Sequence, residues 1–281
     1  MMGATKIPYA DRSWNVTIGC THSGMRGCDY CWAKDLHDKR HKAYLAGKKV
    51  PKQYSHPFGE IILRYGRLDE PLHIKKPSRF FVCSMSDLFH PLVPIGFLTH
   101  VFDIIEKCPQ HTFLIFTKRL KQALKMMWGK HEKGWRYYGD GQFDSNIWFI
   151  VSCSTQKEVD ENVPILLQIP AAVRGISLEP LLEEIDLKHI PYGPSYKPKT
   201  WGNKTTLIQS CINVLKHLNW VIVGCESGKN RRPCKTEWMR KIVKDCQTAG
   251  VAVYVKQLDI DGKVITDINK FPKDLQIREY P

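Results

Sequence analysis

The sequence predicts an α/β fold in which parallel strands alternate with helices, forming a partial or closed TIM-like (β/α) barrel with decorated loops. Three observations lead there. Seven short apolar runs have the near-continuous hydrophobicity of strands covered on both faces. Helical periodicity recurs between them. Six of the runs end in polar side chains, as strands do at the active-site face of such barrels.

In chain order the strand candidates are "WNVTIG" (Trp14 to Gly19), "RFFVCSMSD" (Arg79 to Asp87), "HTFLIFTKR" (His111 to Arg119), "NIWFIVSCS" (Asn146 to Ser154), "AAVRGISLEP" (Ala171 to Pro180), "NWVIVGCESG" (Asn219 to Gly228) and "VAVYVKQ" (Val251 to Gln257). Leu98, Val101, Phe102 and Ile105 fall on one helical stripe. Thr155 and Glu158 form a capping box before Val159 and Val163, in a helix that Pro164 should end or kink. Trp238, Ile242, Cys246 and Ala249 form another stripe, with Thr236 as N-cap and Gly250 as the stop. No interdomain linker interrupts the pattern. The expectation is one domain over residues 1–281, with basic insertions near 34–78, 120–145 and 183–218.

The polar ends define a rim: Ser84 and Asp87; Thr117, Lys118 and Arg119; Ser152 and Ser154; Ser177 and Glu179; Glu226 and Ser227; Lys256 and Gln257. Singly, Ser154, Ser227 and Asp87 read as caps or turn formers. Together the six ends describe a site.

Composition limits the partners. The chain carries 42 Lys and Arg against 28 Asp and Glu, a net charge of +14, which favours a polyanion such as DNA or RNA over a membrane. Basic residues concentrate in Lys34 to Lys52, Lys118 to Arg136 and Lys229 to Lys241. In the second stretch Trp128, Trp135, Tyr137 and Tyr138 alternate with Lys125, Lys130, Lys133 and Arg136, a mixture suited to phosphates and unpaired bases or to an ordinary surface lid. No apolar run approaches the roughly 18 residues of a membrane span, and "MMGATKIPYADRSW" has no signal-peptide core. A cytoplasmic chain is expected, with its ten cysteines mostly reduced.

Three of those cysteines are clustered. "CTHSGMRGCDYC" places Cys20, Cys28 and Cys31 as C-x7-C-x2-C directly after the first strand. Gly24 and Gly27 allow the loop to wrap, and thiolates suit zinc or an iron–sulfur cluster. Zinc would take His22 as a fourth ligand, giving a zinc-stabilised nucleic-acid-binding protein. A [4Fe-4S] cluster held by three cysteines keeps one iron open for another ligand.

The loop resembles that of the radical S-adenosylmethionine enzymes, C-x3-C-x-Φ-C, with Tyr30 of "CDYC" in the aromatic place and a first gap of seven residues rather than three. More widely, the chain resembles a phage and mobile-element family of uncharacterised three-cysteine-motif proteins grouped with radical S-adenosylmethionine barrels. That resemblance is carried in order by "SWNVTIGCTHSGMRGCDYCWA", "FVCSMSDLFH", "PQHTFLIFTKR", "VPILLQIPAAVRGISLEPLL", "NWVIVGCESG" and "VAVYVKQ". It implies a [4Fe-4S] cluster on Cys20, Cys28 and Cys31, S-adenosyl-L-methionine as cofactor, and an electron donor such as flavodoxin or ferredoxin. Cofactor contacts are expected from Tyr30, Ser84, Asp87, Lys118, Ser152 and Glu179, with Arg119 able to pair with a carboxylate or phosphate. Cys225, Glu226 and Lys256 are the catalytic candidates, Cys225 as a hydrogen-atom donor. The reaction implied is hydrogen abstraction, in modification or repair of a nucleic-acid base or nucleotide, with phage-type DNA hypermodification favoured. A peptide or small-metabolite substrate is the alternative within that class.

Overall fold

A computed structural model describes residues 5–128, 145–192, 211–228 and 230–281. Its centre is a sheet of eight strands. The chain enters through β1 (Arg12–Trp14) and β2 (Thr17–Ile18), then runs through α1 (Trp32–Leu45) and β3 (Ile62–Leu63). There follow β4 (Arg79–Val82), α2 (Ile95–Glu106), β5 (Thr112–Thr117), α3 (Leu120–Trp128), β6 (Ile147–Ser152), α4 (Gln156–Leu166) and β7 (Val173–Leu178). A small antiparallel pair, β8 (Ile190–Pro191) and β9 (Cys211–Ile212), precedes β10 (Trp220–Gly224), α5 (Thr236–Ala249), β11 (Ala252–Ile260) and β12 (Lys263–Ile265). The sheet order is β1-β4-β5-β6-β7-β10-β11-β12, parallel except for the antiparallel β12. It is open at β1 and β12, so the partial barrel is the form adopted.

Period-two alternation divides the strand side chains between two cores. Phe113 and Ile115 of β5, Phe149 and Val151 of β6, Val221 and Val223 of β10, and Val253 and Val255 of β11 belong to the large core with the helices. Leu114, Ile150, Trp220, Ile222 and Tyr254 point the other way, into a smaller core on the inner face. The N-terminal segment plugs that face. Tyr9 is buried there, stacked on Phe116 at 5.7 Å and edge-on to Trp220 at 5.6 Å and Tyr254 at 5.4 Å. Such ring pairs contribute about 0.5–1.5 kcal/mol each beyond area burial.

The helices follow their periodicity with local shifts. Leu98, Val101, Phe102 and Ile105 of α2 are all buried. Thr155 caps α4, its hydroxyl accepting from the Glu158 N–H at 3.3 Å. Pro164 does not stop α4, which runs to Leu166, because in the last turn it removes only one backbone bond. In α5 the N-cap is Lys235 and Thr236 is the first helical residue; Gly250 ends the helix at φ 70°. The buried stripe there is Met239, Ile242, Val243 and Cys246, leaving Ala249 exposed.

The expected first strand is also divided. Trp14 closes β1 against β4, whereas Thr17 and Ile18 pair with β3. Between them the Asn15 carboxamide accepts from the Ser84 hydroxyl at 3.1 Å and the Met85 N–H at 3.3 Å, tying this corner to the loop after β4. A parallel bridge from Gly19 to Ser86 then resumes the sheet direction. Gly19 has φ 89°, and a Cβ there would lie 2.0 Å from the Glu60 carbonyl oxygen, so no other residue fits. No helix among the described residues is long and apolar enough to cross a membrane.

Tyr9→Ala should lower stability by about 3–5 kcal/mol in urea unfolding, the usual cost of emptying an aromatic site. An unchanged midpoint would mean that the N-terminal segment does not seat in the inner face.

Candidate active site

The inner-face alternation continues past the apolar core into polar side chains. Phe116 is followed two residues on by Lys118, and Ile150 by Ser152. Gly175 leads to Ser177 and Glu179, and Ile222 to Gly224 and Glu226. On β11 the register slips beside Gly224, and Lys256 occupies the bulge. These strand ends surround a cleft. Cys20, Cys28 and Cys31 line the same cleft, as do Tyr30, Ser84, Asp87, Lys118, Arg119, Ser152, Glu179, Cys225 and Glu226. Lys256 stands behind this wall, its ammonium paired with Glu179 and 5.8 Å from the Tyr9 ring centroid.

The cysteine loop has little regular structure of its own beyond a short turn at Arg26–Cys28. It is held by strand ends and helix starts. At its head, Thr21 receives the Arg119 guanidinium on its carbonyl at 2.6 Å and on its hydroxyl at 3.1 Å. His90 reaches the same hydroxyl at 2.8 Å. Because His90 Nδ1 accepts from the Leu92 N–H, its Nε2 is the donor to Thr21. Burial, then the nearby Arg119, lower the His90 pKa and keep that ring neutral.

In the middle of the loop, Glu158 accepts from the Arg26 N–H at 2.5 Å and the Ser154 N–H at 2.6 Å. At its end, Arg232 grips Glu226 through Nε at 2.9 Å and Nη2 at 2.5 Å. The same guanidinium donates to Asp29 at 3.0 Å and to the Arg26 carbonyl at 2.9 Å, and lies 5.1 Å from the Tyr30 ring centroid. Gly27 permits the final approach: a Cβ there would meet Ser154 Oγ at 2.8 Å and Lys118 Cε at 3.2 Å.

The expected site residues therefore come together, but with different freedoms. Asp87 is filled: it accepts from the Thr117 hydroxyl at 2.9 and 3.0 Å, the Lys118 N–H at 2.9 Å and the Phe89 N–H at 3.0 Å. Glu226 is 4% exposed and is filled by Arg232. The Ser84 hydroxyl donates to Asn15. Lys118 Nζ has no ion pair or hydrogen bond among the described residues. Arg119 Nε is buried without a hydrogen-bond partner among them. Burial, with Glu179 and Asp259 nearby, pushes the Cys225 thiol up to about 12, so it stays protonated.

The donor set can be tested against a metal group. Cys20 is pushed up to about 11, by burial first and the Asp87 carboxylate next, with Arg119 opposing. His22 turns away from the thiols: its Nε2 faces Asp29 at 3.1 Å and its Nδ1 accepts from the Gly24 N–H at 3.0 Å. No three His, Cys, Asp or Glu side chains among the described residues converge on one ion-sized point. A tetrahedral zinc would draw its sulfurs to roughly 3.8 Å from one another. Three thiols of one loop line one cleft with the Arg119 guanidinium beside Cys20, a donor set whose chemistry suits an anionic iron–sulfur group.

Four residues of this assembly carry no local sequence signal as site residues: Asn15, His90, Glu158 and Arg232. Arg232 lies in the third basic stretch, and Glu158 was visible only as half of a capping box. The aromatic–basic residues Lys130, Lys133, Trp135, Arg136, Tyr137 and Tyr138 lie outside the described residues.

Replacing Arg232 with Ala leaves Glu226 buried without its counter-charge and should cost about 3–5 kcal/mol, read as a lower urea midpoint. Arg232→Lys keeps the charge without the fork and should recover part of the loss. Wild-type stability in the Ala variant would show that the loop is not clamped here.

No curated protein matches the chain significantly. Among solved structures, a point mutant of spore photoproduct lyase is 13% identical, with a TM-score of 0.41. That enzyme complexed with dinucleoside spore photoproduct gives 14% and 0.39, and a double mutant with bound AdoMet and the same dinucleoside gives 14% and 0.41. Each alignment covers 64% of this chain and 48% of the lyase, about half its length. Likeness of that degree bears on neither reaction nor substrate here. A family model, by contrast, matches residues 4–275, nearly the whole chain, and the chain accordingly belongs to the family described as protein of unknown function DUF5131.

Proposed function

We propose that the chain is a radical S-adenosylmethionine enzyme acting on a nucleic-acid base or nucleotide, in DNA hypermodification of the phage type or in repair. One observation supports this above the others: three thiols of a single loop face a cleft ringed by strand ends, and His22, the available fourth ligand, is engaged elsewhere. Cys20, Cys28 and Cys31 would hold a [4Fe-4S] cluster. Bound there, such a cluster would supply an electron for the reductive cleavage of S-adenosyl-L-methionine.

The chain's own residues then bind, orient and exclude water. Lys118, whose side chain reaches the loop at Gly27, pairs with a carboxylate. Glu179, held in place by Lys256, accepts from an amine or from ribose hydroxyls. Ser152 and Ser177 supply hydroxyls on the inner face. Tyr30, backed by the Arg232 guanidinium, offers a ring face to the adenine. Asp87 acts indirectly, fixing the backbone that carries Lys118. Cys225 retains its hydrogen at Sγ over the neutral pH range and is the donor nearest Glu226 in sequence. The excess of 14 positive charges supports a polyanionic substrate. Electrons would come from a flavodoxin- or ferredoxin-like protein.

Anaerobic reconstitution should give a brown protein with about four irons per chain. With dithionite and S-adenosyl-L-methionine it should release 5′-deoxyadenosine, measured by chromatography. Cys28→Ala should abolish both iron uptake and cleavage while leaving the chain folded. A colourless protein holding one zinc per chain, inert in the same assay, would overturn the reading.

A further inference from the structure

Beside the cleft lies a second groove, and the two share Ser23, Lys118 and Arg119 in their walls. The groove has a strong charge bias. Arg26, Lys118, Arg119, Lys121, Lys125 and Lys157 face three carboxylates, Glu158, Glu161 and Glu183. Glu158 is committed to the amides of Arg26 and Ser154, and Glu183 accepts from the Gln156 N–H at 2.6 Å. Glu161 stands 3.7 Å from Lys121 and 3.9 Å from Lys157 at the surface, where such pairs contribute little and yield readily to a competing anion. Lys121 and Lys125 are one turn apart on α3, so their ammonium groups form a row leading toward Lys118 and the cleft.

The cleft mouth adds a different signal. Tyr30 and Trp32 line it, yet 46% and 47% of their surfaces remain in water. Exposed rings in a cleft that shares Lys118 and Arg119 with the basic groove suit a site where bases stack and phosphates pair. A duplex shows its bases only edge-on in the grooves, so the faces of these rings require an unpaired base.

We propose that this groove carries the phosphates of a single-stranded polynucleotide, with one base stacked on Trp32 at the cleft mouth and its neighbour directed into the cleft. The proposal rests on the reading of the cleft as the place where a nucleotide reacts, and it supplies the path of the strand on which that nucleotide sits.

The test is fluorescence anisotropy of the full-length, reconstituted protein with labelled single strands of about 12 nucleotides, DNA and RNA in separate arms, over a range of salt. Affinity should fall linearly with salt on logarithmic axes. In Lys121→Gln/Lys125→Gln the slope should shrink by about 1.4, and affinity near 0.1 M salt should drop about 10- to 30-fold. Trp32→Ala should weaken binding about 5- to 150-fold with the slope unchanged, and Trp32→Phe should recover most of it. A Lys263→Gln/Lys273→Gln control, outside the groove, should bind as wild type. Circular dichroism confirms that each variant is folded, and Lys157→Gln, on α4, gives a second independent reading of the groove.

Absence of strand binding at low salt overturns the proposal. So do equal affinities for wild type and the Lys121/Lys125 and Lys157 variants, or tighter binding of a duplex that ignores Trp32. An acidic flavodoxin whose binding depends on Lys121 and Lys125, when strand binding does not, assigns the groove to that partner and overturns it as well. Iron content and 5′-deoxyadenosine release are read on the same preparations. Their survival without strand binding removes the groove alone; strand binding by a chain that takes up no iron removes the radical chemistry alone.

Discussion

An irregular loop must hold three thiols at fixed places against a cleft, and everything proposed for this chain depends on that constraint. Fixing the backbone of one residue costs about 1–2 kcal/mol. A helix or strand offsets this with its own ladder, but the segment from Cys20 to Cys31 has only one short turn. Its order is imposed from outside, at Thr21 by Arg119 and His90, at Arg26 by Glu158, and at Asp29 and Tyr30 by Arg232. Three of these four tethering residues come from segments following the parallel strands β4, β5 and β10, and Glu158 follows β6. The sheet therefore positions the thiols as well as the cleft wall.

The same sheet explains why polar groups collect beneath the loop. Strand periodicity is strict, so side chains that continue an inner-face series must point inward whether or not they are apolar. Below, rings and aliphatic groups fill the space, sealed by Tyr9. Above, the series ends in Lys118, Ser152, Ser177, Glu179 and Glu226. The bulge at Lys256 lets a second cation enter the ring and neutralise Glu179, so that carboxylate is not buried alone.

What was legible in the sequence follows from the range of each signal. Apolar runs, helix stripes and the C-x7-C-x2-C spacing are local, and they located the strands, α2 and the cleft residues. The tethers are not local. Arg232 meets Asp29 across 203 positions, Arg26 meets Glu158 across 132, and Ser84 meets Asn15 across 69. No window of periodicity contains both partners of such a pair. For the same reason Glu226 and Asp87 could be read as strand-end carboxylates, whereas their commitment to Arg232 and to Thr117 could not. Asn15 breaks the first apolar run for a reason that exists only once the loop after β4 lies beside it. The shift in α5 from Trp238, Ile242, Cys246 and Ala249 to Met239, Ile242, Val243 and Cys246 is a rotation of one stripe, set by which face the β10–β11 layer receives.

These commitments also determine which charge the cleft still lacks. Asp87 has four donor contacts, Glu226 has a bidentate guanidinium, and Glu179 has Lys256. The acids are thus satisfied within the protein. The cations on the opposite side are not: Lys118 has no anionic partner among the described residues, and Arg119 keeps a buried nitrogen unsatisfied. Lys118, half-buried and unpaired among the described residues, is the cation that an incoming anion can still satisfy. Lys118 and Arg119 both stand where the cleft meets the basic groove. The unfilled electrostatic demand is therefore directional: it draws a carboxylate or phosphate to the junction between the thiol loop and α3, and a neutral or cationic ligand would leave it unmet.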